Sequence, residues 1–221
     1  MERVDKVFEA QGTLLIIKSR NTSVNAITNE PIWAGSGTYG VNKITRENVA
    51  GYGDTDRTGY FLFPLHVEKK DYIFWAPMTT EGATLLKFEA VELVNGLETY
   101  KFTHDLEPID KTVFFPWLQG FVVKGDHKGT QWVEPTTGHV VKFEHSGLNK
   151  LFDQSTLKEI QDFQIWSRKT THDVITNQVR IAQNAKQTII LYENWVPILL
   201  GMIAVAILAA FIASRKLISQ P

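Results

Sequence analysis

Residues 84–107 read TLLKFEAVELVNGLETYKFTHDLE, two runs in which apolar and polar side chains alternate on either side of Asn95-Gly96. That dipeptide supplies the two positive-φ residues that a tight hairpin turn with right-handed twist demands. Tyr100 and Phe102 fall on one strand face, Thr99 and Lys101 on the other. One apolar face beside one wet face is the pattern of an antiparallel sheet packed on a single side. A second hairpin follows in QWVEPTTGHVVKFEH, 131–145, with Pro135 to Gly138 as its turn and Val141 and Phe143 expected to face one way.

Upstream, GYFLFPLHVEKKDYIFWAP at 59–77 offers two apolar runs around the charged cluster Glu68-Lys69-Lys70-Asp71, read as a hairpin with a solvated turn and with Pro64 at an edge or bulge. Residues 19–58 are dense in Asn, Thr, Gly and Asp, so short β pieces between turns are expected. VFEAQGTLLIIK, 7–18, is rich in β-formers and reads as a first strand that Gly12 breaks or bulges. Downstream of Gly147, LNKLFDQSTLKEIQ reads as the start of a short helix and DFQIWSRKT as a last strand. From Thr171, a plausible N-cap with Asp173 in the first turn, apolar residues recur at helical spacing at 174, 175, 179, 181, 182, 185 and 189.

That helical pattern runs into WVPILLGMIAVAILAAFIA, 195–213, which carries no charge. As a helix it spans about 28 Å, the hydrocarbon thickness of a bilayer. Trp195 stands where an aromatic belt belongs, Pro197 lies in the first turns, and Gly201 with its neighbouring alanines permits close helix packing, so a homo-oligomer through this helix is conceivable. Arg215 and Lys216 follow at once and place the C-terminus in the cytoplasm by the positive-inside rule, with the large domain outside. An exported domain needs a leader, and MERVDKVFEAQG holds no apolar core, so an additional signal or span is expected upstream of Met1. The alternative topology is a tail-anchored protein with a cytoplasmic β domain.

The fold expected is therefore mainly β: an antiparallel, β-rich extracytoplasmic domain at 1–147, then a mixed segment and amphipathic juxtamembrane helix at 148–193. A single transmembrane helix at 194–214 and a short cytoplasmic tail at 215–221 complete the chain.

Composition narrows the function. The 221 residues carry 23 Lys and Arg against 24 Asp and Glu, which gives no field for nucleic acid. The absence of cysteine excludes disulfides, thiolate metal sites and a cysteine nucleophile. Serine elbows, phosphate loops and dinucleotide fingerprints are missing, and carboxylates such as Asp54, Asp56, Glu134 and Glu144 are not paired by any pattern. No catalytic, cofactor-binding or metal-ligating residue is assigned. The six histidines show no ligand spacing: His139 and His145 share a strand face but stand about 20 Å apart if extended, so all six read as isolated. Asn21-Thr22-Ser23 is a glycosylation acceptor of near-chance frequency. The surplus is aromatic: Phe74, Trp75, Phe114, Phe115, Trp117 and Phe121 read first as core, and otherwise as the lining of an apolar ligand site that would take a lipid.

Taken in order, Asp56-Arg57-Thr58-Gly59, FLFPLHVEKKDYIFWAP, VNGLETYKF, WVEPTTGHVV and the terminal span resemble the porin A family of actinobacterial and archaeal envelope proteins. The likeness covers residues 50–145 best. It implies a β-rich domain outside the membrane with a span at each end, and this chain lacks the first. The family implies no catalytic residues, and Asp56, Arg57, Gly59, Trp132, Pro135 and Gly138 read as turn and packing positions. A β-barrel pore would need a continuous apolar lipid-facing side, which Lys87, Glu89 and Lys101 interrupt. A pore would have to be built from several terminal helices, although no polar stripe lines this one. The reading favoured by the sequence is a non-enzymatic, membrane-anchored envelope protein that binds an apolar ligand. The alternative is a subunit of an envelope pore.

Overall fold

The computed structural model describes residues 2–24, 28, 31–75 and 82–218, with side chains at 2, 23–24, 31–34 and 212–218 left aside. It is mainly β, with two antiparallel sheets followed by one long helix. The first sheet holds three strands in sequential order, β1 (Glu2–Gln11), β2 (Leu14–Val24) and β3 (Pro31–Asn42). Gly12 does not bulge a single strand. At φ 56° it makes, with Thr13, the turn of the β1–β2 hairpin, so the run read as one strand is two. Ile17, Tyr39, Val41 and Phe61 pack on one side of this sheet.

The second sheet runs in the order β4 (Tyr72–Phe74), β5 (Thr84–Val94), β6 (Leu97–Asp110), β7 (Phe121–Glu134), β8 (His139–Asp153) and β9 (Glu159–Lys169). Asn95 at φ 47° and Gly96 at φ 79° close the β5–β6 turn, as their type demands. Phe102, Leu86, Tyr72, Phe74, Phe63 and Val133 form the main core on the inner face, with Tyr100 and Phe88 packed against it. The 59–77 hairpin does not form. Among its described residues only Tyr72–Phe74 is strand, while residues 61–67 plug Phe61, Phe63 and Val67 into the cores and spend backbone bonds on distant partners, His66 N on Thr136 O at 3.0 Å and Val67 N on Pro135 O at 2.7 Å. Pro64 sits in this irregular segment rather than at a strand edge or bulge.

Two further expectations fail for local reasons. LNKLFDQSTL is not helical: β8 continues through it to Asp153, whose carboxylate accepts from the backbone N–H and hydroxyl of both Ser155 and Thr156. Those bonds hold its pKa at about 2 and turn the chain back into β9, the expected last strand. Val141 and Phe143 do not face one way either. A bulge opposite Trp132 and Val133 leaves Val141 as the extra residue, sending it to the outer face while Phe143 stays inside.

The helix begins after Thr171 as expected. It comprises α1 (His172–Ile190), a π-helical turn at Leu191–Trp195 and α2 (Val196–Ile218). The stretch His172–Phe211 is the one helix among the described residues long and apolar enough to cross a membrane.

Candidate functional site

The outer face of the second sheet receives α1. Val179 and Ala182, with Ile175 beside them, pack against Val94, Leu97, Trp132 and Val141. Polar ties extend along the helix: Asn95 Nδ2 donates to Thr176 Oγ1 at 3.4 Å, His139 Nε2 meets Gln178 Oε1 at 2.6 Å, and His66 Nε2 meets Glu193 Oε1 at 2.9 Å. The strongest tie is buried. Glu134, fully excluded from solvent, pairs with Lys186 Nζ at 3.0 Å and accepts from Thr137 N at 2.7 Å. Burial alone would raise its pKa, but Lys186 and the N–H groups of Thr137 and Thr136 overcome this and hold it below the usual carboxylate value. On the same face Trp132 donates its indole N–H to Glu92 at 2.7 Å and lies beneath the Lys142 ammonium at 3.8 Å. The indole bond lowers the Glu92 pKa more than its slight burial raises it.

Beyond this junction the helix stands free. Trp195, Pro197 and Gly201 are exposed, and a Cβ added at Gly201 would meet nothing within 4 Å. Arg215 and Lys216 continue the helical backbone; their side chains lie outside the described residues.

The six aromatics of the candidate ligand site separate into two groups. Phe74 is in the main core on β4, one edge of the second sheet, and Trp75 follows it with the Arg57 guanidinium 5.9 Å from its ring. The other four lie in or beside the β6–β7 connection, at the opposite end of the strands from the turn that meets α1. There Phe115 packs between Trp117 (5.6 Å) and Phe163 of β9 (5.2 Å), and β9 is the other edge strand. Around this pair Val113 is 78% and Trp117 68% exposed, and Phe114 and Phe121 are also open to solvent. An open groove of about 690 Å³ on the sheet is lined by Leu85, Lys87, Asp105, Leu106, Lys128 and Glu144 among others, and none of the six aromatics contributes to it.

The motif positions are structural. Asp56 accepts from Gly51 N at 2.7 Å, and Arg57 pairs with Asp54 at 2.7 Å while lying over Tyr39 at 4.0 Å. Partial burial would raise the Asp54 pKa; Thr38 N–H and Arg57 bring it below normal.

A third feature escaped sequence reading. His104, His127 and His145 are not isolated: they stand on β6, β7 and β8 with ring centroids 4.7, 5.1 and 5.4 Å apart, and His127 Nε2 lies 3.2 Å from His145 Nδ1. The registers His104↔Gly129 and Gly129↔His145 put two of the rings on either side of a residue with no side chain. A Cβ at Gly129 would fall 2.1 Å from His104 Cε1. The available signal was the alternation Gly125, His127, Gly129 on a strand, but it acquires meaning only once three strands are in register. Among the described residues no three His, Asp or Glu side chains are arranged to hold a metal ion.

A mainly β domain with one apolar helix of spanning length defines a membrane-associated protein. The family model Porin PorA matches residues 3–213, nearly the whole chain, and the protein belongs to that family. No curated protein matches it.

Proposed function

We propose that the protein is a non-enzymatic envelope protein, anchored by α2 with its β domain outside and its C-terminus in the cytoplasm, that binds an apolar ligand at the β6–β7 aromatic tip. The observation that supports this reading is the exposure of Val113 and Trp117 around the Phe115–Phe163 pair, since apolar surface displayed together at one end of a domain marks an interaction site. The charged residues after the span support the orientation. Fluorescent fatty acid titrated into the full chain in nanodiscs is the test. Val113→Ser combined with Trp117→Ser, both at exposed positions, is expected to weaken binding about tenfold, the loss of roughly 1.4 kcal/mol of apolar contact. Equal uptake by variant and parent would sink the tip as the site.

A second reading, a pore subunit, is favoured by the family. One helix without a polar stripe cannot enclose water, so this reading requires several chains, and conductance steps in planar bilayers would establish it. Protease access to the β domain in intact cells separates both from a tail-anchored arrangement.

A further inference from the structure

We propose that the loop 62–66 is a second membrane contact, in which Leu62 and Leu65 enter the lipid headgroup layer beside the helix and seat the β domain on the bilayer. The inference rests on α2 being the membrane anchor, and the helix then measures height. Glu193 is the last charged residue before Arg215, and Pro197 has no N–H to offer the Glu193 carbonyl four residues back, so the chain around Glu193 still needs water. Trp195, the first residue of the uncharged run, belongs at headgroup level. The membrane boundary therefore falls inside the π-helical turn at Leu191–Trp195.

Each tie between the helix and the β domain has a place on that ruler, at about 1.5 Å per residue. The headgroup layer is roughly 5–8 Å deep on each side of the hydrocarbon. The Lys186–Glu134 pair stands roughly 14 Å above Trp195 and the Gln178–His139 contact roughly 25 Å, both clear of that layer. Glu193, which His66 Nε2 meets at 2.9 Å, stands only about 3 Å above Trp195, within it. The loop that carries His66 is thus brought to the lipid, and the Leu65 Cα is about 3.8 Å from that of His66.

The side chains at this level suit a lipid surface. Phe61 and Phe63 are buried in the cores, which leaves Leu62 and Leu65 exposed by 42% and 37%. On the helix Leu191, Tyr192 and Trp195 are exposed as well, so apolar groups gather at one height on two separate segments. A single exposed leucine carries no message, but a set continuous with the apolar span has a bilayer to meet. The loop is also held on a frame. Phe61 N–H bonds to Arg46 O at 3.0 Å, Arg46 Nη1 to Phe63 O at 2.7 Å, and the His66 and Val67 N–H groups to Thr136 O and Pro135 O. Leucines fixed in this way enter lipid without the ordering cost of a free loop. The neighbouring Glu68-Lys69-Lys70-Asp71 run carries no net charge and Lys70 pairs with Glu68, so the contact needs no anionic lipid. Two contacts, span and loop, fix the inclination of the β domain on the membrane.

The test is quenching of an environment-sensitive fluorophore on single cysteines, with the full chain in phosphatidylcholine nanodiscs. The chain has no cysteine of its own, so each label is unique. Leu62→Cys and Leu65→Cys are the probes, at exposed positions that tolerate the change. Leu93→Cys and Ile165→Cys, more exposed still, are the water-side references, and Val205→Cys in mid-span reports the anchor. Labels at 62 and 65 are expected to be quenched by lipid spin-labelled near the headgroup, and to be quenched by aqueous iodide about threefold less than the references. The label at 205 is expected to be quenched by lipid spin-labelled near the chain end, and the references by neither lipid. If 205 is quenched while either 62 or 65 behaves like the references, the loop contact is overturned and the anchor stands. If 205 is not quenched, the anchor fails and the loop contact with it. Labels at 62 and 65 shielded from iodide but untouched by either lipid would overturn the proposal in favour of a protein contact, such as a second copy of the chain. Quenching of the references as strongly as of 62 and 65 would overturn it too, since the whole domain would then lie on the bilayer.

Discussion

Replacing Lys186 by methionine is expected to destabilise the protein by about 3 kcal/mol, the low end of what breaking a buried ion pair costs, because Glu134 keeps its bond from Thr137 N–H. Methionine preserves most of the apolar stem of Lys186, so the loss reports the charge. Glu134 would be left as an unpaired carboxylate with no exposed surface. Adding Glu134→Gln should recover part of the loss, since a neutral amide is far less costly to bury unpaired. Denaturant unfolding in detergent, followed by near-ultraviolet circular dichroism, measures both variants. If the double variant is as unstable as the sum of the singles, the pair is not the tie between helix and sheet.

The same pair sets a pH dependence of definite sign. Because the folded-state pKa of Glu134 is lowered, its contribution is complete above the ordinary carboxylate value and is lost as pH falls through the lowered one. Lys186 is the strongest of the influences that lower it, so in Lys186→Met the acid transition should move to higher pH.

The junction also shows what kind of information the sequence carried. The β5–β6 hairpin and the helix after Thr171 were legible because each rests on a local rule, Asn95-Gly96 for the turn and apolar spacing for the helix. The helix expected to begin in LNKLFDQSTLKEIQ is instead the end of β8 and an Asp153-centred turn. Only the partner strands decide between them. In 61–67 the alternation of Phe61, Phe63 and Val67 imitates a strand, yet those side chains anchor an irregular segment whose His66 and Val67 N–H groups bond some 70 residues downstream, on Thr136 and Pro135, while Phe61 N–H bonds upstream to Arg46 O. The histidine cluster required more still, namely two hairpin registers and a glycine between rings. The aromatic surplus was visible as composition, but its division between the Phe74 core and the exposed tip depends on which edge of the sheet each segment joins.

Gly138→Ala is expected to cost about 4 kcal/mol or more, enough to unfold a marginally stable domain. Its φ of 68° is strained for any residue with a Cβ, and that Cβ would fall 2.3 Å from Pro64 O and 2.6 Å from Phe63 O. The Phe63 carbonyl is held in place. Arg46 Nη1 bridges Phe63 O and Thr137 O at 2.7 Å each, and its burial, which lowers its pKa, marks how closely this node is packed. Gly59, at φ 70°, meets the same obstacle in Ile73 O at 2.3 Å, so two glycines of the family motifs fix the irregular 59–71 segment at its start and where it crosses the β7–β8 turn. Gly96→Ala supplies the control. Its φ of 79° is equally unfavourable, but nothing lies within 4 Å of the added Cβ, so it should cost only the backbone strain, about 1 kcal/mol. Thermal unfolding of the two glycine variants checks the comparison: a Gly96→Ala loss as large as that of Gly138→Ala would mean that backbone strain, and not the close approach of the 63–64 carbonyls, is why the chain has glycine there.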